Sequence, residues 1–307
     1  MIDGLLVVDK PAGWTSHDVV AKLRGATRQR RIGHAGTLDP DATGVLLVGL
    51  GRVTRLMRFL QDTTKSYRGV VSFGVATNTL DAAGEVLERR EMPVSRAQVE
   101  EALPAFRGDI LQIPPMVSAL KVDGKRLHEL AREGKVVDRA PRPLRIDRFE
   151  VEEFAPGPFP EATVLVDCSS GTYVRSLAAD LGTALGGCAH LASLRRLRVG
   201  AFTISDATPL DVLVADPVPW VVSPASALRG MAVISADDTI KAAIANGKVF
   251  DAPTVSAVGA TGEGPFAMID AAGDLLAVYE WSGDRLKPSV VIPAATPVAP
   301  PTSDAGD

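Results

Sequence analysis

Twelve residues, Gly33-His34-Ala35-Gly36-Thr37-Leu38-Asp39-Pro40-Asp41-Ala42-Thr43-Gly44, restrict the fold more than any others in the chain. Three glycines and a proline in so short a run exclude a regular helix or a central strand. Glycine weakens ordered interiors and proline removes a backbone donor. Apolar runs nevertheless flank the segment, Leu5 to Val8 ahead of it and Val45 to Val48 behind it. The combination predicts a structured loop held by the core, the kind of loop that commonly carries function. Asp39 is its chemical candidate, against the plain alternative of an Asx turn ahead of Pro40.

The surrounding pattern is that of a mixed α+β chain. Leu5 to Asp9 reads as a short buried strand ended by the turn Lys10-Pro11-Ala12-Gly13. Thr15 or Ser16 caps a helix with Val19, Val20 and Leu23 on its apolar face. Arg24, Arg28 and Arg31 follow at a spacing that lets them share one exposed helical face. Val53 to Leu60 reads as a helix, and Tyr67 to Phe73 as a strand with Tyr67, Val71 and Phe73 on one side. Ser95 to Gln98 has the capping-box pattern of a short helix that Pro104 closes. Thr163 to Cys168 is a strand, followed by the turn Ser169-Ser170-Gly171. The helix after it carries Val174, Leu177, Ala178, Leu181 and Leu185 in one buried stripe. Residues 1–225 are expected to form the main domain, with 121–148 as a polar, proline-punctuated excursion. Short β-like runs, Ala267 to Ile269 and Leu275 to Trp281, predict a small β-rich domain over 226–292. The Pro- and Ala-rich residues 293–307 predict a disordered tail.

Charge is distributed unevenly. The net of −4 averages a C-terminal part with 13 acidic and 5 basic residues (206–307) and an N-terminal part with 24 and 28. Within the latter, Lys22, Arg24, Arg28, Arg30 and Arg31 are uninterrupted by any acid, and Lys121 to Arg148 holds nine basic against five acidic residues. Arg195, Arg196 and Arg198 form a third group. Clusters of this kind suit RNA phosphates, although each alone would also suit a solvated helix face.

Other classes find little support. Cys168 and Cys188 make no ligand pair or disulfide framework, and His17, His34, His128 and His190 have no metal-ligand spacing. No metal is expected. Gly49-Leu50-Gly51 begins like a dinucleotide fingerprint, but Thr54 stands where the third glycine belongs. No run approaches the ~20 apolar residues of a membrane span, and no cationic leader precedes Leu5, so the expected compartment is the cytoplasm.

Three residues add weight to Asp39. Arg175 opens a helix, where a cation opposes the macrodipole by roughly 0.3–1 kcal/mol, so an anionic partner is expected to offset it. Tyr67, at a strand end, can present its ring as a stacking surface. His34, on the Asp39 segment, can stack on or replace a displaced base. Core packing of Tyr67, a structural His34 and a solvated Arg175 are the corresponding alternatives.

These residues belong to longer segments: Val8-Asp9-Lys10-Pro11-Ala12-Gly13-Trp14-Thr15-Ser16, the twelve residues around Asp39, Lys65-Ser66-Tyr67-Arg68, Gln112-Ile113-Pro114-Pro115-Met116, and Cys168-Ser169-Ser170-Gly171-Thr172-Tyr173-Val174-Arg175. Taken in order over about residues 4–205, they resemble the bacterial tRNA pseudouridine-55 synthases of the TruB family. Val117 and His128 depart from it, standing where the family tends to have aromatics, and the chain past about 225 matches only loosely.

The resemblance implies a pseudouridine synthase fold, with a large, mostly antiparallel mixed sheet flanked by helices and a small PUA-like C-terminal domain. It implies isomerisation of uridine-55 in the tRNA T-loop at a flipped-out base. Asp39 is then the nucleophile, Arg175 its ion-pair partner, and Tyr67 the ring that stacks on uracil and assists at C5. Tyr173 and Leu194 are then pocket walls, His34 fills the space the base leaves, and Lys10 and Pro11 brace the loop. The excursion would clamp the RNA arm by shape. The implied enzyme is a monomer needing no cofactor and no protein partner, because the isomerisation neither oxidises nor imports anything. The alternatives are an RNA-binding scaffold with a silent site, a guide-RNA-dependent relative, and a carbohydrate-active enzyme. The last lacks the second carboxylate that such chemistry pairs with the first.

Overall fold

The computed structural model describes residues 2–118, 120–122, 125–126, 137–251 and 262–292. The chain divides into two compact units, Met1–Val221 and Val222–Asp307.

In the first unit a ten-stranded sheet forms the body. Its strands are β1 (Gly4–Lys10), β2 (Ile32–Ala35), β3 (Thr43–Leu50) and β4 (Lys65–Phe73), then, beyond the small hairpin of β5 (Val75–Thr77) and β6 (Val86–Arg89), β7 (Gly108–Gln112). After the short pair β8 (Lys121–Val122) and β9 (Lys125–Arg126), the sheet resumes with β10 (Arg142–Ala155), β11 (Glu161–Cys168), β12 (Ala189–Val199), β13 (Phe202–Thr203) and β14 (Thr208–Pro209). The order is β14-β1-β3-β12-β4-β11-β10-β7, with β2 added to β3 and β13 to β12. Only β1–β14 and β3–β12 are parallel. The sheet is therefore mixed and mostly antiparallel, as the resemblance implied.

Helices cover it. α1 (Ser16–Thr27) is capped by Thr15, whose hydroxyl accepts from the Asp18 amide while the Asp18 carboxylate accepts from the Thr15 amide. Val19, Val20 and Leu23 bury its apolar face against Leu6, Val8, Leu46 and Val48. α2 (Met57–Gln61) follows a 3₁₀ turn, Gly51–Leu56, and α3 is Arg96–Ala102. α4 (Val174–Ala184) sets Leu177, Ala178 and Leu181 into a second cluster with Tyr67, Val71, Phe73, Phe149 and Val166. α5 (Leu210–Ala215) buries Leu210 and Leu213 in the α1 cluster. Tyr67, Val71 and Phe73 thus share a face, as their alternation predicts.

Glycine matters most where β3 meets β12. Gly44 has φ +99° and pairs with Arg196, and a Cβ there would lie 2.1 Å from the Arg196 carbonyl oxygen. Only glycine permits this approach, which sets Arg196 beside the Asp39 segment.

Four expectations need correction. Residues 33–35 are not loop: Ile32–Ala35 pairs antiparallel with β3, so the irregular segment is only Gly36 to Ala42. Ile32 and Ala35 are both buried, on opposite faces of the strand, which the glycine density had masked. Arg24, Arg28 and Arg31 do not share a helical face, because α1 ends at Thr27 and Arg28 turns into the left-handed region at φ +54°. Arg24 donates to the Ile32 carbonyl and Arg31 to Thr54 Oγ1. The helix expected from Val53 begins at Met57. The 121–148 excursion is too long, since Arg142–Ala155 is a strand with Leu144, Ile146 and Phe149 buried. Residues 123–124 and 127–136 of that excursion, and the expected tail 293–307, lie outside the described residues.

The second unit holds a five-stranded sheet with the helix Asp238–Ala245. Ala232–Ala236 runs parallel to Phe266–Asp270, and the remaining pairs are antiparallel. Its core joins Ile234, Ile240, Phe266, Tyr279 and Leu286.

Candidate active site

The segment Gly36 to Ala42 is irregular but anchored throughout. Leu38 and Ala42 are both 4% exposed and plug into the core. Ser16, at the start of α1, accepts from the Leu38 amide (2.9 Å) and donates to its carbonyl (3.2 Å). The Ala42 amide closes a turn onto the Asp39 carbonyl at 3.2 Å. Lys10 is fully buried, and its ammonium donates to the carbonyls of Pro11, Trp14 and Pro40 at 2.8, 2.6 and 2.8 Å. Gly13 donates to the same Pro40 carbonyl at 3.0 Å. From the other side the buried Arg196 guanidinium reaches the carbonyls of Val45, Gly36 and Thr37. Asp39 therefore projects from a loop whose backbone is fixed at nearly every step.

Lys10 stands out energetically. Three carbonyls take three N–H groups, which only the charged ammonium supplies, while burial pushes its pKa down to about 8. We expect Lys10→Met to leave those acceptors without their donor and to lower stability by about 3 kcal/mol, with turnover falling alongside because Pro40 adjoins Asp39. A urea melt and a rate measured well below its midpoint check the two effects separately.

Asp39 opens on a cavity of about 430 Å³. Its side chain is 45% exposed, and both carboxylate oxygens lie near Arg175 Nη2, at 3.0 and 2.9 Å. The Arg175 side chain is 6% exposed and uses its other terminal nitrogen on Asp81 Oδ2 at 3.1 Å. One guanidinium thus bridges two carboxylates, a use of its forked geometry that lysine cannot copy. The anionic partner expected for a cation at a helix start is present, twice over. Burial raises the Asp39 pKa above the ordinary carboxylate value; Arg175 opposes this, and Asp81 adds to the rise.

Tyr67, Tyr173, Leu191 and Leu194 form the cavity walls, with Lys65 and Arg196. Tyr67 pairs in register with Arg196 across β4 and β12, which explains why a cation stands next to a buried phenol. Burial raises the Tyr67 pKa, with Arg196 opposing. The hydroxyl is therefore held protonated, and phenolate chemistry is disfavoured. His34 lies on β2 and is not among the residues lining this cavity. Its ring meets that of His17 edge to face at 5.2 Å, and burial brings its pKa to about 4, so the ring is neutral at physiological pH.

Sequence reasoning gave no role to Asp81 or Gln112, and it read Arg196 as part of a basic group suited to RNA phosphates, whereas Arg196 is 1% exposed. Asp81 sits in a polar turn with no periodicity to mark it, and Arg196 resembled one more surface cation. Gln112 is 3% exposed, accepts from the Tyr173 amide at 2.9 Å and donates to its carbonyl at 3.1 Å. This pairing fixes the N-cap of α4, two residues before Arg175. We expect Gln112→Ala to leave the Tyr173 amide unpaired, at a cost of about 1–2 kcal/mol. Turnover should fall about tenfold, the equivalent of about 1.4 kcal/mol, through misplacement of Tyr173 and Arg175. Single-turnover rates on folded variant protein check it.

Among the described residues no group of three or more His, Cys, Asp or Glu could hold a metal ion, and no helix is long and apolar enough to cross a membrane. Cys168 is buried, and burial pushes its thiol up to about 11, so it is not a reactive nucleophile.

With this geometry in hand, comparison with known proteins is specific. The TruB family pseudouridylate synthase N-terminal domain matches residues 24–174, and the tRNA pseudouridylate synthase B C-terminal domain matches 175–231. The tRNA pseudouridine synthase B of Mycobacteroides abscessus is 44% identical over 298 residues, covering 94% of this chain and 96% of its own. That of Thermobifida fusca is 49% identical over 222 residues, covering 70% and 76%. Among solved structures, an H/ACA RNP bound to a substrate RNA containing 2′-deoxyuridine aligns with a TM-score of 0.72 at 22% identity, over 94% of this chain and 85% of the other. A Cbf5-Nop10-Gar1 complex aligns equally well, at 24% identity, over 94% and 83%. At such identities the two structures speak for the fold alone.

Proposed function

The chain belongs to the TruB family of pseudouridylate synthases, and on that premise we propose that it isomerises uridine-55 in the T-loop of tRNA, with Asp39 as nucleophile. The observation that carries the residue assignment is the Asp39 carboxylate, open to the cavity and held by a buried guanidinium. The reaction breaks N1–C1′ and forms C5–C1′; C5 loses a proton and N1 gains one. Atoms and electrons balance within the nucleoside, so the reading includes no cofactor. Attack on the ribose, attack on the base and abstraction of the C2′ proton are three routes open to the carboxylate. Each requires it ionised and within reach of the reacting atom, C1′, C6 or the C2′ proton.

The target base lies inside a folded loop, so it must be extruded at a cost of a few kcal/mol. In this reading Tyr67 stacks on the uracil and assists removal of the C5 proton. Tyr173 and Leu194 close the ring in, and the neutral His34 takes the place the base leaves. Arg175 orients Asp39, and Lys10 with Pro11 holds the loop. The residues after β7 serve as the RNA clamp, residues 1–225 as the catalytic domain and 226–292 as a small RNA-binding domain. The protein acts as a monomer in the cytoplasm without a protein partner.

The test is a T-arm transcript carrying tritium at uridine C5, because every route breaks that C–H bond. One equivalent of tritium should pass to water, and a transcript with cytidine at position 55 should block the release from that position. Tight binding without release would favour the scaffold reading and sink this one.

A further inference from the structure

The first unit holds a second cavity, of about 640 Å³, on the opposite face of the sheet from Asp39. Alternation along β12 separates the two, since Leu194 and Arg196 face the catalytic cavity and Arg195 faces this one. Its volume is that of a small-molecule site. Its lining is partly apolar, including Pro209, the buried Leu210 and Trp14, which packs against the α1 core cluster. The rest of the lining is polar or charged. Arg195 is held in place by Asp9 Oδ2 at 2.7 Å and Thr43 Oγ1 at 3.2 Å, while Lys22 and Asp211 stand exposed at the rim.

We propose that this cavity binds a nucleotide, with its base on Trp14 and its phosphate between Lys22 and Arg195. A fixed aromatic face beside cations is the combination that holds nucleotides without choosing among bases, because every base has a stacking face. The cations that face the cavity are Lys22 and Arg195, against Asp9 and Asp211, whereas the Lys10 ammonium is turned to the Pro11, Trp14 and Pro40 carbonyls. Arg195 is pre-organised by Asp9 and Thr43, so little side-chain freedom is lost when it engages a phosphate. Asp211 can accept from a ribose hydroxyl or an exocyclic amine. A free nucleotide and one residue of an RNA strand offer this site the same chemistry.

Equilibrium dialysis of the full-length protein against AMP, adenosine and inorganic phosphate tests this. AMP should bind saturably, with adenosine and phosphate each at least about tenfold weaker, about 1.4 kcal/mol. Lys22→Glu, at an exposed position, should weaken AMP at least about tenfold, and Leu210→Trp should exclude it by filling the cavity. Asp39→Asn, on the other face, should bind AMP as the parent does. Displacement of AMP by T-arm RNA would assign the site to a nucleotide of the RNA, and simultaneous occupancy would assign it to free nucleotide. Either outcome upholds the site. No saturable AMP binding, or binding unchanged by Lys22→Glu, overturns it.

Discussion

Asp39→Asn should abolish pseudouridine formation while leaving RNA binding and the fold intact. The substitution keeps the shape of the side chain and removes its nucleophilic charge. The expected loss is about 10⁴-fold or more in single-turnover rate, about 5 kcal/mol of barrier. The Asp39 backbone is positioned by Ser16, Lys10 and Arg196, none of which bonds the carboxylate, so the amide should sit where the acid sat. Stability should not fall. A carboxyl whose pKa is raised on folding is, when ionised at neutral pH, less comfortable in the native state than in the unfolded chain. Replacing it with a neutral isostere removes that penalty, and Arg175 retains Asp81. A thermal melt should show a midpoint equal to or above the parent's, and filter binding should show T-arm affinity within about threefold, less than 1 kcal/mol. Product at more than a hundredth of the parental rate would remove Asp39 from the reaction.

How much of this site could be read beforehand follows from what each residue depends on. Asp39 and Arg175 were legible because local rules singled them out, one by the glycine and proline density around it, the other by a charge at the wrong end of a helix. Their mutual approach spans 136 positions and follows from the sheet order, in which only β12 and β4 separate β3, which the loop enters, from β11, which leads to α4. No local pattern encodes that order. Asp81 is the sharper case. It reaches Arg175 only because its turn docks on β12, where the Ala82 amide bonds the Leu191 carbonyl and Leu191 bonds back to Leu80. Gln112 ends an edge strand with Leu111 and Ile113 exposed on either side, so its own burial interrupts nothing visible in the sequence. Arg196 was misleading for a physical reason. Three arginines within four residues look like a solvent face, yet a strand sends alternate side chains to opposite sides, and the Gly44 contact seals Arg196 inside.

Arg175 is the most consequential cation of the site, because it bridges Asp39 and Asp81. Arg175→Met should remove the charge that both Asp39 and Asp81 face, leaving two carboxylates without their common partner. Breaking a buried pair by deleting one member is costly; because Asp39 opens to solvent, the low end applies, about 3 kcal/mol. The urea midpoint should fall accordingly. The catalytic effect is distinguishable by pH. In the proposed role Asp39 works ionised, so rate should be lost as pH falls through its pKa. That pKa already lies above the ordinary carboxylate value through burial, and Arg175 is the largest influence holding it down. Removing Arg175 must therefore move the acid limb of kcat/KM to higher pH. Arg175→Lys restores a charge without the fork that spans two carboxylates. Its acid limb should lie between those of the parent and Arg175→Met, while its rate at the plateau stays well below the parent's because Asp39 is no longer oriented. An acid limb identical in all three proteins would mean that the carboxylate controlling the reaction does not sense Arg175, and the pairing of these two residues would then be structural only.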